Sequence, residues 1–328
     1  MRISRISRRE LLRAGLVGAG GLTLGGALGG LLEACGGSHP DVLTAGSLNG
    51  LLKARKDAGD GTSLVVPSLA GEDYVAGFNN YLGFYLAKPN GDRVFGANTR
   101  VWLSHGSDPN VSVTPTGPTP APWFGYANPE PGPTVSKGLN GLQVTFDQPG
   151  VWTLVVETTS APRQIATTLV QVKDRSKADT FVPGDRAIPS DTPTVDNPHG
   201  VSPICTRKPP CDMHQITLRQ AIASGKPTAF VIATPAYCTS RNCGPSVDEL
   251  LTVERQLKGK ANFVHAEVYL NDQSQTLQQQ IPSPTFAEWK VQTEPWLFVI
   301  DRNGVIASRF EGGFTAGQAS AALNPLLG

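Results

Sequence analysis

Charge of either sign is scarce in this 328-residue chain. Only 17% of residues are Asp, Glu, Lys or Arg, and 28 basic residues nearly balance 27 acidic ones. Five of the arginines (Arg2, Arg5, Arg8, Arg9 and Arg13) and two of the glutamates (Glu10 and Glu33) fall within the first 34 residues, leaving 23 basic and 25 acidic side chains beyond them. No basic patch stands out in that remainder, which removes nucleic acid from the expected partners. A long uninterrupted apolar run is also lacking. The weakly apolar stretch 14–32 contains eight glycines, too many for a permanent membrane helix. Low charge combined with 36 Gly and 27 Pro argues against a helical bundle and for turns and strands. The length suffices for two domains, each with its own core.

The first 35 residues read as an address. Ser7-Arg8-Arg9-Glu10-Leu11-Leu12-Arg13 resembles the twin-arginine export signal, with Leu11 and Arg13 where Phe and Lys are commoner. A basic start, an apolar middle and a small-residue end form a signal-peptide layout. Leu32-Glu33-Ala34-Cys35-Gly36 resembles a lipobox, which implies acylation of Cys35; Glu33 is unusual in that pattern. The expected location is the extracytoplasmic face of a bacterial cell membrane, held by a lipid anchor. Five cysteines occur, at 35, 205, 211, 238 and 243. Beyond Cys35 they form two close pairs, the usage of a protein in an oxidising compartment.

Composition divides the rest. Residues 36–60 are rich in Gly, Ser and Asp and read as a tether. From 61 to 175 short β-rich runs, at 63–67, 81–86, 100–103, 142–146, 151–156 and 165–172, alternate with turn formers, as in an all-β sandwich. The segment 147–156, Asp-Gln-Pro-Gly-Val-Trp-Thr-Leu-Val-Val, resembles a turn and strand found late in immunoglobulin-like bacterial domains, and Trp152 reads as core. The seven prolines of 115–133 suggest a long extended loop. Residues 176–210 read as a Pro-rich linker.

Beyond it, over 211–328, strand and helix alternate. A short helix spans 218–224 and ends at Gly225. An apolar run, 228–234, suits a central strand. Next come a loop with Cys238 and Cys243, an amphipathic helix over 245–257, a strand at 263–270, a hairpin built on 296–300 and 305–310, and a closing helix over 315–323. This order, the cysteine pair between first strand and helix, Glu294-Pro295 before the hairpin and the Asp301/Gly304 turn followed by Gly312 resemble the thioredoxin superfamily, especially its envelope thiol-disulfide oxidoreductases. The fold expected is therefore an all-β immunoglobulin-like sandwich followed by an α/β thioredoxin-like domain. The resemblance implies catalysis by Cys238, Cys243 and a cis Pro295 facing them, with no cofactor. The implied partners are thiol or disulfide proteins of the envelope.

A helix N-terminus carries unpaired N–H groups and partial positive charge, both of which favour thiolate, the nucleophile of disulfide exchange. The spacing here is Cys-x4-Cys where the family has Cys-x2-Cys. Five helical positions separate Cα atoms by about 8.6 Å, beyond the ~7 Å limit of a disulfide, so Cys238 must lie in the loop if the pair closes. Alternatively, Cys243-Gly244-Pro245-Ser246 is the family's Cys-Gly-Pro-Cys with its second cysteine replaced. Cys238 is expected to be the more exposed thiol; the second alignment makes Cys243 the attacker. Ile232 stands where thioredoxins bury a proton-carrying acid, with Asp248 and Glu249 as substitutes or plain solvated helix residues.

Cys205 and Cys211 are expected to form a structural disulfide closing a small loop, which stabilises by roughly 2–2.5 kcal/mol. His214 adds a third metal-type ligand beside that pair but no fourth, and His265, inside an apolar strand, reads as a core histidine, so no metal is expected. Three functions remain open: thiol-disulfide exchange, a redox-inert scaffold that binds envelope proteins, and metal delivery. The export reading makes its own prediction. Replacing Arg8 and Arg9 together with Lys blocks export in a cell-fractionation assay, and Cys35→Ala releases mature protein from membranes. Continued membrane retention of processed Cys35→Ala protein would overturn the lipid anchor.

Overall fold

Alternating apolar residues organise the first part of the chain into two sheets sharing one core. A computed structural model describes Lys53 and residues 66–328, except 89, 108–115, 130–136 and 161–162. Arg8, Arg9, Cys35 and, apart from Lys53, the tether 36–60 lie outside the described residues. One sheet holds β1 (Val66–Leu69), β3 (Asn79–Ala87), β8 (Gly138–Thr145) and β7 (Trp123–Gly125) in that order, with β4 (Arg93–Val94) also on β3. The other runs β2 (Tyr74–Val75), β10 (Ile165–Lys173), β9 (Gly150–Thr158), β5 (Thr99–His105), β6 (Thr116–Ala121). Among the described residues of these two sheets, only the β2–β10 pairing is parallel. Leu82, Phe84 and Leu86 of β3 meet Val101, Trp152, Leu154 and Val170 of the facing sheet, and Trp152 is buried as expected of a core residue.

The proline-rich stretch 115–133 is not simply a loop. It contributes β6 and β7, which end their sheets. Pro118 and Pro120 lie in β6, where one side of the strand needs no ladder donors, the position in a sheet that tolerates proline.

After a short capped helix, α1 (Leu218–Ala223), a four-stranded mixed sheet forms. Its strands are β11 (Thr228–Ile232), β12 (Asn262–Ala266), β13 (Trp296–Ile300) and β14 (Ile306–Glu311), in the order β12-β11-β13-β14. Strand β11 pairs parallel with β12 and antiparallel with β13, and all five of its residues are buried, as the continuous apolar run requires. Helix α2 (Cys243–Gln256) follows β11, α3 (Pro284–Glu288) lies between β12 and β13, and α4 (Ala316–Leu323) closes the chain. The hairpin turns at Gly304, whose φ of 76° suits glycine, with the Asp301 carboxylate accepting from the amides of Asn303 and Val305. Among the described residues no helix is long and apolar enough to cross a membrane.

The segment 176–210, linker-like in composition, is laid along this mixed sheet. Ala187 N–H donates to Gly304 O, Ile306 N–H to Asp185 O, Thr180 Oγ1 to Trp289 O, and Leu218 N–H to Thr192 Oγ1. Its prolines and hydroxyl residues make an irregular strap that satisfies its polar groups against neighbours rather than in a ladder of its own.

The two-sheet unit and the mixed sheet also share a core. While even-numbered residues of β3 face the sandwich interior, Tyr81 and Tyr85 join Leu297, Phe310 and Phe314 on the opposite face. Arg309 donates to the Asp73 carboxylate at 2.8 Å and to its carbonyl at 2.6 Å, and both residues are only 4% exposed. Burial pulls the Asp73 pKa up, but Arg309, the Asp179 amide and Lys173 outweigh it and hold it below the usual value. Glu311 accepts from the amides of Glu72 and Asp73 at 2.8 and 2.7 Å and from Thr293 Oγ1 at 2.6 Å. Gly312, at φ 81°, has room for no side chain, since a Cβ would stand 2.5 Å from the Ala70 carbonyl oxygen.

Removing Arg309 leaves a buried carboxylate with one cation fewer. Because Lys173 still reaches Asp73 at 2.9 Å, Arg309→Met is expected at the lower end for broken buried pairs, a loss of about 3 kcal/mol. Urea denaturation measures it, and a midpoint equal to the parent's would remove the pair from the account of stability.

Candidate functional site

Cys243 is the first residue of α2, and Cys238 lies in the preceding loop, which turns through Arg241 at φ 58°. Cys243 is fully buried, whereas Cys238 is partly exposed. Asn242, in the N-cap position, makes no side-chain capping bond; instead the Cys238 sulfur accepts the Cys243 backbone N–H at 3.3 Å. A sulfur thus takes the place of a capping oxygen, at the positive end of a helix of 14 residues. Ser240 Oγ lies 3.2 Å from the same sulfur.

These contacts separate the two thiols. The hydrogen bond from the Cys243 thiol, outweighing burial and aided by Ser240 and the backbone amides of Cys243 and Asn242, brings the Cys238 pKa down to about 6. Burial, then the contact with Cys238, pushes Cys243 well above the ordinary thiol value. Cys243 therefore occupies the position of the first cysteine in a Cys-Gly-Pro-Ser alignment but has neither the exposure nor the charge of an attacking group.

The acid that sequence reasoning sought elsewhere is Glu294. Its carboxylate and the two sulfurs all lie within 4.8 Å of one another. Burial and the nearby Cys238 charge push its pKa up to about 7, offset in part by the Thr239 amide. Ile232 is buried and apolar at the position where an acid was sought. Asp248 pairs with Arg207, and Glu249 is buried, accepting from the amides of Ala127 at 2.6 Å and Ala316 at 2.7 Å. Glu249 is thus a tie between three parts of the chain, not a solvated helix residue. The acid next to Pro295 was the only sequence signal for Glu294. The Glu294–Pro295 peptide is cis, and Pro295 is buried, its carbonyl accepting from Gly312 N–H.

The two-sheet unit reaches this site. Tyr126 hydroxyl donates to Asn242 Oδ1 at 3.3 Å, beside Cys243. Burial raises the Tyr85 pKa to about 12, and Asn242 and Cys238 are near enough to act on it. Half-buried Tyr237 and Tyr269 meet edge to face with ring centroids 6.0 Å apart, and burial, followed by the nearby Glu294, raises the Tyr269 pKa.

The second cysteine pair departs from expectation. Cys205 and Cys211 are free thiols with Sγ atoms 3.7 Å apart, far from the roughly 2.05 Å of a disulfide. His265 Nδ1 lies 3.3 Å from Cys211 Sγ and 3.9 Å from Cys205 Sγ, and His214 completes a buried group of four. Expecting no metal rested on a missing fourth ligand. Strand β12 supplies it, from 51 positions beyond His214 in the chain numbering. The pair is also tied to the Cys238 loop: Ala236 N–H donates to Thr206 Oγ1 at 3.1 Å, and Thr206 donates to Glu267.

No family model and no curated protein matches the chain. Solved structures similar to parts of it include a secreted thiol-disulfide isomerase from Corynebacterium glutamicum, with 14% identity and TM-score 0.26 over 31% of this chain and 71% of that one. A thioredoxin-family thiol:disulfide interchange protein from Chlorobium tepidum gives 15% identity and TM-score 0.29, covering 44% of this chain and all of that one. The PKD domain of the human receptor SorCS2 gives 14% and 0.20, over 48% and 100%. Likenesses this distant decide nothing about function. The sequential order read from the sequence, strand, cysteine loop, helix, strand, helix, hairpin and closing helix, is the order from β11 to α4 in the structure.

A thiol lowered to about 6 is charged at all pH values well above that point. Alkylation of the reduced protein at Cys238 should therefore rise with pH to half its plateau near pH 6 and be flat above about pH 7, with Cys243 unlabelled under native conditions. Peptide mapping assigns the label. A midpoint near the ordinary ~8.5, or preferential labelling of Cys243, would contradict the asymmetry.

Proposed function

We propose that this protein is an extracytoplasmic thiol-disulfide oxidoreductase in which Cys238 attacks and Cys243 resolves. The observation that carries the reading is the split thiol pair at the start of α2: one sulfur partly exposed with its pKa down to about 6, the other buried and protonated. A thioredoxin-like assignment for 211–328 and an immunoglobulin-like one for the preceding sheets belong to the same proposal. So does membrane attachment through Cys35, after export directed by Arg8 and Arg9.

The chemistry balances without a cofactor. Cys238 thiolate attacks one sulfur of a substrate disulfide, forming a mixed disulfide and releasing the other substrate sulfur as thiolate, which takes a proton from water. Glu294, with a pKa near neutrality, accepts the proton of Cys243. The Cys243 thiolate then attacks Cys238 Sγ and expels the second substrate thiolate. Two electrons have passed to the substrate, and Cys238 and Cys243 are left joined; the reverse sequence oxidises a dithiol. Buried Pro295, which follows Glu294 in the chain, contributes no N–H, and Tyr237 and Tyr269 offer aromatic surface for the incoming chain.

Redox titration of Cys238/Cys243 against glutathione tests the reading. A potential in the range of exchange catalysts supports it. One below about −300 mV, with no turnover of a model disulfide, would leave a redox-inert scaffold instead. Glu294→Gln should slow resolution of the mixed disulfide by about 10²-fold while Cys238 still forms it. Equal resolution rates would remove Glu294 from the mechanism.

A further inference from the structure

We propose that Cys205, Cys211, His214 and His265 bind one Zn2+ ion through both thiolates and one ring nitrogen of each histidine, at a site separate from Cys238 and Cys243. All four residues are buried, and their donor atoms lie within 4.8 Å of one another. For tetrahedral zinc with Zn–S about 2.3 Å and Zn–N about 2.05 Å, sulfurs stand about 3.8 Å apart and sulfur and nitrogen about 3.6 Å. The observed separations are 3.7 Å between sulfurs, and 3.3 and 3.9 Å from them to His265 Nδ1. This is the spacing of ligands around a shared ion rather than of atoms joined by a bond.

The histidines point to the same ligand. His265 Nε2 lies 3.2 Å from the Ala233 carbonyl oxygen. Donating its proton there leaves the Nδ1 lone pair facing the sulfurs, the outer hydrogen bond by which metal-binding histidines are commonly oriented. His214 is 1% exposed, yet among the described residues neither ring nitrogen has a hydrogen-bond partner. A buried imidazole unsatisfied at both nitrogens is costly, and a bond to a metal removes that cost at one of them. Its ring packs 4.7 Å from that of His265. Two thiolates and two imidazoles suit borderline-soft Zn2+; hard Ca2+ or Mg2+ would need oxygen ligands, and none belongs to the group. Four protein ligands close the tetrahedron, the form of a structural zinc site.

On binding, two thiol protons leave to solvent and no electrons move. The ion would fasten residues 205–214 to β12, and Thr206 would carry that fixation to the Cys238 loop through its bond from Ala236. The proposal does not depend on disulfide exchange.

The test uses the full chain, kept reduced with a phosphine. Elemental mass spectrometry should find one zinc per chain, undiminished when Cys238 and Cys243 are both replaced by Ser. His214→Gln should weaken zinc affinity by more than about tenfold in a chelator competition. Cobalt substituted into the unaltered protein should show thiolate-to-cobalt charge transfer and the intense visible bands of a tetrahedral site, a readout that needs no variant to fold. Reduced protein that takes up neither Zn2+ nor Co2+ would overturn the site. So would a cobalt spectrum without thiolate charge transfer, or zinc lost with Cys238 and Cys243 but retained in His214→Gln.

Discussion

Strand β3 is buried on both faces, and the arrangement of the remaining structure follows from that constraint. Its even positions, Leu82, Phe84 and Leu86, complete the core between the two five-stranded sheets, while Tyr81 and Tyr85 enter the core shared with β14. Two-sided burial leaves this strand no solvent face, so the two-sheet unit cannot separate from the mixed sheet without exposing large aromatic side chains. The polar groups caught at the junction are satisfied in the same stroke. Asp73 meets Arg309, Glu311 receives two backbone amides from the neighbouring turn, and Glu249 ties Ala127 to Ala316. Each carboxylate holds chain segments far apart in sequence, and each would be costly to leave unpaired.

This junction ends at the thiol loop. Tyr126, from the two-sheet unit, donates to the side chain of Asn242, and the first amide of α2 donates to the Cys238 sulfur. The extra loop length of the Cys-x4-Cys spacing then has a physical use. It brings Cys238 back over the helix N-terminus, where amide N–H groups and the helix dipole favour the thiolate, while Cys243 stays beneath it. Burial raises both thiols, but hydrogen bonds outweigh it at Cys238, whereas at Cys243 the contact with Cys238 adds to it, and the proposed division between attacking and resolving groups comes from that difference.

The second cluster is linked to the same loop through Thr206, which accepts from Ala236 N–H. Cys205 belongs to the irregular strap, and Cys211 and His214 to the irregular segment that continues it to α1, and such segments depend on side-chain ties for their position. His265 supplies one tie from the central sheet, and Thr206 with Glu267 supplies another. The thiol loop is therefore tied to Tyr126 through Asn242 and, through Thr206, to the segment that carries Cys205 and Cys211.

The sequence by itself determined the local elements whose causes are local. The apolar run of β11, the Asp301–Gly304 turn, the capped helices and the sequential order from β11 to α4 were legible because period, caps and turn chemistry act over a few residues. It also placed Cys238 in the loop, on the condition that the pair closes, and Cys243 next to the start of the helix. Proline content misled at β6, because composition does not distinguish a loop from an edge strand whose outer side is free of ladder bonds. Only the tertiary structure decided the rest: Glu294 rather than Asp248 or Glu249 beside the sulfurs, the strap in place of a free linker, and His265 as fourth member of a cluster that looked like three. Those groups are distant in the chain and adjacent in space, and their properties arise from burial and from neighbours that strand pairing alone brings together.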